Sequence, residues 1–155
     1  MIKDIDSSET LYLLNKKEQK IPIIFIHGVG LTHEIWKPQI DFFKNRTTLS
    51  YDILGHGKTP LNKKNITFDD FSEQLINLIN ELEFDKIHLI GFSIGSLIAR
   101  NFATKYNDRL KSLTLLGSTY KRSDNQQKIV NDRFNLAKKN LKLSKQALKR
   151  WFTDK

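Results

Sequence analysis

The chain has 155 residues, of which 39% are hydrophobic and 28% charged, and it contains no cysteine. This length favours one domain, and the composition excludes a disulfide framework and a thiolate metal site. No apolar run is long enough to span a membrane, and the N-terminus lacks the pattern of a secretory signal. We therefore expect a cytoplasmic protein that uses no metal and no cofactor.

The net charge of +9 is concentrated in the C-terminal quarter of the sequence. Residues 119–155 hold 11 Lys/Arg against 3 Asp/Glu, a net charge of +8, whereas residues 1–118 hold 15 against 14, a net charge of +1. We interpret the basic segment as a solvated helix face. The alternative is a patch for nucleic acid or an anionic membrane, but no aromatic side chains are interleaved with the charges. We expect neither partner.

Hydrophobic periodicity predicts alternating strands and helices along the chain. The predicted strands are Thr10–Leu14, Ile21–Ile26, Leu49–Ile53, Ile87–Phe92 and Leu113–Leu116. The predicted helices are Glu34–Lys44, a helix that begins after its N-cap Thr67, Ile94–Tyr106, a helix with apolar positions from Val130 to Leu141, and a short helix after Ser144. This order predicts an α/β fold with a mainly parallel sheet and helices on both faces.

The strongest chemical motif is Gly91-Phe92-Ser93-Ile94-Gly95, at the joint between a predicted strand and a predicted helix. A strand that runs directly into a helix must turn sharply, with a strained residue at the turn and small residues on either side. The turn presents the Ser93 hydroxyl above the carboxyl edge of the sheet. Ser93 is therefore the candidate nucleophile, and the Ile94 N–H is a candidate donor to a developing oxyanion. The alternative is a turn without chemistry.

A second motif, His27-Gly28-Val29-Gly30, ends the first buried strand. Its glycines let the loop approach a substrate oxygen, so the Val29 N–H is the candidate second donor of an oxyanion hole. A dinucleotide-binding loop would need a third glycine at position 33, which is His33, and is therefore rejected. We interpret His27 as a packing and hydrogen-bonding residue rather than a catalytic base.

A third motif, Asp52-Ile53-Leu54-Gly55-His56-Gly57, follows the next strand. Asp52 and His56 together suggest acid/base chemistry. We prefer a structural interpretation, in which the Asp52 carboxylate accepts hydrogen bonds from N–H groups of its own turn.

These three motifs, in this order, resemble the α/β-hydrolase superfamily over about residues 9–155. The resemblance implies that Ser93 is the nucleophile and that the N–H groups of Val29 and Ile94 form the oxyanion hole. Residues 1–118 would be the N-terminal part of the core and residues 119–155 the start of a helical lid. The segment 147–153 is similar to the lid of 3-oxoadipate enol-lactonases, where Trp151 would either cover the substrate or pack between helices.

No residue of the sequence fits the triad acid or base that the resemblance implies. In this superfamily both follow the serine, with the histidine last, whereas His27, His33, His56 and His88 all precede Ser93. Asp108, Asp124, Asp132 and Asp154 follow Ser93, but none comes after a later predicted strand. We therefore expect the chain alone to be inactive and poorly soluble. We interpret it as a truncated reading frame or a fragment, and the alternative is a split enzyme completed by a second, C-terminal chain.

The predicted function is hydrolysis of a small carboxylic ester or lactone through an acyl-enzyme on Ser93. Related chemistries, hydrolysis of carbon–carbon bonds or thioesters, remain alternatives, as does a non-catalytic remnant or binding fragment.

Overall fold

The computed structural model describes residues 1–18 and 21–139. These residues form six strands in one sheet and four α-helices. The strands are β1 (Ile2–Ile5), β2 (Leu11–Asn15), β3 (Ile23–Ile26), β4 (Thr48–Tyr51), β5 (Ile87–Phe92) and β6 (Leu110–Leu116). The helices are α1 (Lys37–Phe42), α2 (Phe68–Glu81), α3 (Ile94–Lys105) and α4 (Asp124–Lys139), and two short 3-10 turns lie at His33–Trp36 and Asn107–Arg109.

The strand order is β1-β2-β4-β3-β5-β6. Strands β4, β3, β5 and β6 are parallel, whereas β1 and β2 add an antiparallel edge. The predicted α/β class with a mainly parallel sheet is therefore confirmed. Strand β1 was not predicted. It is short and all four of its side chains are exposed, so it lacks the apolar periodicity of a packed strand.

Helices cover both faces of the central strand β3. Because side chains alternate along a strand, Ile24 and Ile26 pack with the apolar residues of α2 and α3 in one core cluster. Ile23 and Phe25 point the other way and pack against Trp36 and Ile40, and the Phe25 and Trp36 rings lie 5.0 Å apart. The sheet is thus the middle layer of residues 1–118, which form one compact unit.

The predicted helix Glu34–Lys44 is wrong as a single element. The structure has a 3-10 turn over His33–Trp36, followed by α1 from Lys37. Pro38 explains the break, because it has no N–H to continue the hydrogen-bond ladder and is tolerated only in the first turn of a helix.

The other differences are shifts of element ends. Strands β3 and β4 are shorter than predicted, and β4 ends at Tyr51, so that Asp52 lies just beyond it. Strand β6 begins earlier, at Leu110. Thr67 is the N-cap of α2, as predicted, with its N–H donating to the Asp70 carboxylate at 2.7 Å.

Residues from Thr119 onward belong to a second compact unit, of which the described part contains α4. The predicted helix after Ser144 and the predicted lid residue Trp151 lie outside the described residues. No described helix has the length and apolar character needed to cross a membrane.

Candidate active site

Ser93 occupies a strained turn between β5 and α3. Its backbone angles are φ 56° and ψ −117°, a region that residues with a side chain rarely adopt. The Ser93 N–H donates to the carbonyl of Leu116 at 2.9 Å, which anchors the turn to the carboxyl end of β6. The predicted sharp strand-to-helix turn therefore exists, with the serine at its apex.

Two glycines make this turn possible. A Cβ atom at Gly91 would lie 2.2 Å from the carbonyl oxygen of Gly95, and one at Gly95 would lie 2.5 Å from the carbonyl oxygen of Ile26 on β3. Both distances are far below van der Waals contact, and the obstructing atoms are backbone. Only glycine therefore lets α3 start so close to the sheet.

The Ser93 hydroxyl is half-buried and accepts or donates no hydrogen bond within the described part of the chain. Its carbonyl, in contrast, accepts the Ser96 N–H at 3.0 Å and the Ser96 hydroxyl at 2.6 Å. These two bonds hold the first turn of α3 and leave the Ser93 side chain free to point away from the backbone.

The loop after β3 lies against the serine. A Cβ atom at Gly28 would be 3.3 Å from the Ser93 Cβ. The next residue, Val29, is 47% exposed, and the loop closes with the Leu31 N–H donating to the Gly28 carbonyl at 3.2 Å. The N–H groups of Val29 and Ile94 have no acceptor among residues 1–18 and 21–139. Ile94 is the first residue of α3, where N–H groups lack intrahelical partners.

His27 is fully buried behind this loop, and backbone groups use both of its ring nitrogens. Nδ1 lies 2.8 Å from the Gly28 carbonyl, and Nε2 accepts the Ile53 N–H at 3.1 Å. Since Nε2 is an acceptor, Nδ1 carries the proton that binds Gly28. Burial lowers the pKa of His27 to about 4, so the ring is neutral at neutral pH. His27 thus joins the ends of β3 and β4.

Asp52 connects two loops at the carboxyl edge. Its Oδ2 accepts the Lys58 N–H at 3.0 Å, which is the bond within its own turn that the sequence predicts. Its Oδ1 accepts the His33 N–H at 2.8 Å and lies 2.7 Å from His33 Nδ1. Both side chains are buried. This second connection was not predicted, and it ties the 52–58 turn to the loop that carries Val29.

Hydrogen bonds set the charge state of Asp52. Burial by itself raises the pKa of its carboxyl group, but the donors from His33 and Lys58 outweigh burial, so the pKa lies below the ordinary value. Asp52 is therefore a buried carboxylate, and its hydrogen bonds hold the surrounding loops in place.

Replacing Asp52 with asparagine is expected to lower the free energy of unfolding by about 2 kcal/mol or more. The substitution removes the charge of a buried acceptor and turns one of its two oxygens into an N–H₂ group, which would face the donors of His33 or Lys58. Urea unfolding of the two proteins measures the difference. Asp69→Asn is the matched control, since Asp69 is exposed and its bond to Lys105 is screened by solvent, so this variant should unfold at nearly the same urea concentration as the unmodified protein. Equal losses in both variants would contradict the structural role of Asp52.

Gln74 is a buried residue of this region that the sequence reasoning missed. From α2, its Nε2 donates to the Asp52 carbonyl and to the Thr10 hydroxyl, each at 3.1 Å, and its Oε1 accepts the Leu54 N–H at 3.2 Å. A glutamine on the apolar face of α2 was the available signal. Gln74 holds the 52–54 turn against α2.

Among the described residues, no acid or base is hydrogen-bonded to the serine. No histidine of the described residues is hydrogen-bonded to Ser93, and His88 instead pairs with the Ser112 hydroxyl at 2.7 Å. Asp108 lies in the turn before β6, at the opposite end of the parallel strands from Ser93. Asp124 and Asp132 lie in α4, and Asp154 is outside the described residues. The described part of the chain contains no group of side chains that could hold a metal ion.

Comparison with known proteins supports a common origin with proteins of similar sequence and fold. A family model described as the alpha/beta hydrolase fold matches residues 21–150. The (E)-2-((N-methylformamido)methylene)succinate hydrolase of Acinetobacter baylyi is 31% identical over 153 residues, covering 94% of this chain and 58% of that protein. The 3-oxoadipate enol-lactonase 1 of the same species is 28% identical over 109 residues, covering 70% of this chain and 41% of that protein.

A solved structure shows the same fold. MGS-M2, an α/β hydrolase enzyme from a Medee basin deep-sea metagenome library, superposes with a TM-score of 0.76 at 23% identity, covering 86% of this chain and 50% of that one. The chain therefore spans about half the length of the relatives that it matches.

Proposed function

Because the chain belongs to the α/β-hydrolase family, we propose that it carries the nucleophile half of a serine hydrolase for small carboxylic esters or lactones. The observation that carries the proposal is the backbone of Ser93, held at φ 56°, with a hydroxyl that has no hydrogen-bond partner among the described residues. Strain of this kind is maintained only where the surrounding structure enforces it, and it is common at catalytic residues.

The proposed reaction begins when the Ser93 oxygen attacks the carbonyl carbon of the substrate. The hydroxyl proton passes to a general base, and the carbonyl oxygen becomes an oxyanion that accepts hydrogen bonds from the N–H groups of Val29 and Ile94. Collapse of this intermediate breaks the acyl C–O bond and leaves an acyl group on Ser93, while the base returns its proton to the leaving oxygen. In an ester this oxygen departs with the alcohol, and in an enol-lactone the ring opens and the enol stays tethered to the acyl group. Water then attacks the acyl group and releases the carboxylic acid.

A lactone substrate is supported by one of the relatives, which is named an enol-lactonase. The first relative, named an (E)-2-((N-methylformamido)methylene)succinate hydrolase, supports a small carboxylate-bearing substrate more generally. Our proposed substrate is a small enol-lactone, with Trp151 as a proposed contact.

No base is bonded to Ser93 among the described residues, so we expect a low rate from this chain. Without a residue that takes its proton, a serine hydroxyl is a weak nucleophile. Binding and the oxyanion hole by themselves leave a residual acceleration of roughly 10³ to 10⁴ over water when a triad member is lost. The second candidate function, a non-catalytic remnant, is favoured by the absence of any base bonded to Ser93 in residues 1–18 and 21–139.

Labelling with a fluorophosphonate probe separates the two functions. We expect slow covalent labelling of the chain that is abolished in Ser93→Ala, measured by intact-mass spectrometry over hours. Ser112→Ala is the matched control, because Ser112 is exposed and bonded to His88, and this variant should label as the unmodified chain does. Equal, weak labelling of the chain and Ser93→Ala would instead favour the remnant.

A further inference from the structure

The side chain of Phe92, the residue before Ser93, lies between two glycines that follow two other strands. A Cβ atom at Gly28, in the loop after β3, would lie 3.1 Å from Cδ1 of the Phe92 ring and 3.2 Å from its Cε1. A Cβ atom at Gly117, directly after β6, would lie 3.3 Å from Cε2 and 3.6 Å from Cδ2 of the same ring. The two glycines therefore face opposite edges of one aromatic ring.

The space around this ring is filled on several sides. At both glycines the shortest of these distances is below ordinary van der Waals contact between carbon atoms, which begins at about 3.5 Å. Only a residue without a side chain therefore fits at either edge of the ring. Phe92 is half-buried, and it also packs against the apolar cluster that contains Phe25 and Trp36. The ring thus contacts two backbone segments and a packed core.

Each of the two glycines adjoins a group of the candidate site. Gly28 precedes Val29, whose N–H is a proposed donor to the oxyanion. Gly117 follows Leu116, whose carbonyl accepts the Ser93 N–H at 2.9 Å. One ring therefore touches both the loop that carries the oxyanion donor and the end of the strand that anchors the serine.

A phenyl ring in this place can set a distance. The ring is rigid, and a shift toward Gly28 or Gly117 brings it against backbone atoms. Closely packed interiors transmit such displacements rather than absorb them. Donors of an oxyanion hole are effective when they lie about 2.7–3.1 Å from the oxygen that becomes charged. A loop that moved because the ring was absent would therefore slow the reaction, although every reacting group would remain.

We propose that Phe92 is a positioning residue, whose ring sets the separation between the loop that carries Val29 and the nucleophile Ser93. The ring acts through its contacts with Gly28 and Gly117 and not on the substrate. The catalytic consequence rests on the proposed function, whereas the placement of the loop by the ring does not.

Phe92→Leu tests this role in the full chain, because it removes both ring edges and keeps an apolar side chain. We expect fluorophosphonate labelling of Ser93 to slow about 10-fold, since a misplacement of 1 Å can cost about 100-fold in rate. The loop itself is followed by hydrogen exchange of the Leu31 amide, which donates to the Gly28 carbonyl at 3.2 Å. This exchange should become faster in Phe92→Leu.

Ile90→Ala is the matched control. Ile90 lies on the same strand and packs against the same apolar cluster as Phe92, but it precedes the turn by one more pair of residues. This variant should lower the free energy of unfolding and leave both the labelling rate and the Leu31 exchange unchanged. Equal effects of Ile90→Ala and Phe92→Leu on labelling would show general loosening of the core and overturn the proposal.

An exchange of sizes separates positioning from loss of packing. Gly28→Ala alone places a methyl group against the ring, so it should displace the loop and slow labelling. In the double variant Gly28→Ala/Phe92→Leu, this methyl group takes space that the ring has left, so labelling should be faster than in either single variant. Losses that simply add in the double variant would contradict the role of the ring.

Failure of the proposed function is distinguishable from failure of this inference. If the unmodified chain labels no faster than Ser93→Ala, the proposed function fails, and the Leu31 exchange alone tests the ring. Faster exchange in Phe92→Leu that is reversed in the double variant then supports positioning of the loop. Exchange in Phe92→Leu equal to that of the unmodified chain overturns it.

Discussion

Gly95→Ala is expected to destabilise the protein by about 3 kcal/mol or more. A methyl group at this position would lie 2.5 Å from the carbonyl oxygen of Ile26 and 2.7 Å from that of His27. Overpacking in a core commonly costs about 1–3 kcal/mol when side chains can shift. Here both obstructing atoms belong to the backbone at the end of β3, so relief requires α3 to move away from the sheet.

Gly28→Ala is the control for this prediction. Its methyl group would meet the ring of Phe92 at 3.1 Å and the Cβ of Ser93 at 3.3 Å. These contacts are tight, but the ring can rotate, so we expect a loss of about 1 kcal/mol. Circular dichroism during urea unfolding measures both variants. A Gly95→Ala protein as stable as Gly28→Ala would show that the close approach of α3 to β3 is not required.

The stability of the protein is expected to fall by about 3 kcal/mol as the pH drops from 6.5 to 4, because of His27. Burial lowers the pKa of this histidine from its ordinary value of 6.5 to about 4 in the folded state. The unfolded chain therefore binds a proton at a higher pH than the folded chain does, and acid favours unfolding within this interval. Each pH unit between the two pKa values corresponds to about 1.4 kcal/mol.

The interval identifies the residue responsible. Asp52 also has a lowered pKa, but its stabilising effect is present above its ordinary pKa of 3.8 and is lost only at lower pH. Urea unfolding between pH 7 and pH 4.5 therefore reports chiefly on His27, with a smaller contribution from the less buried His88, whose pKa is also lowered by burial. His27→Gln should be less stable at pH 7 and should keep only the smaller pH dependence that His88 contributes, whereas His56→Gln should keep most of the dependence. An unchanged slope in His27→Gln would refute the assignment.

Local patterns predicted the elements and the motif around Ser93 well. The apolar run of β5, the glycines at 91 and 95 and the N-cap Thr67 each act within a few residues, so their physical effect is visible in the sequence. The turn at Ser93 is the clearest case, because a strand that runs into a helix with small residues on either side of the joint can turn there in only one way, sharply.

Contacts between distant segments could not be predicted in the same manner. The bond between His33 and Asp52 joins two loops, and Gln74 reaches from α2 to the turn after β4. Each residue is unremarkable in its own segment, and its partner depends on how the sheet brings the segments together. The edge strand β1 was missed for a related reason, since its stability comes from pairing with β2 rather than from a buried face.

The strained backbone of Ser93 also bears on the history of the protein. Glycine adopts positive φ values without the penalty that a side chain brings, so random substitution unopposed by selection would favour glycine at this position. A serine there destabilises the folded chain slightly and contributes no described side-chain hydrogen bond in return. Under the proposed function, its presence reflects an ancestor selected for a reactive hydroxyl, and a lineage released from that selection would lose the serine before it lost the surrounding glycines.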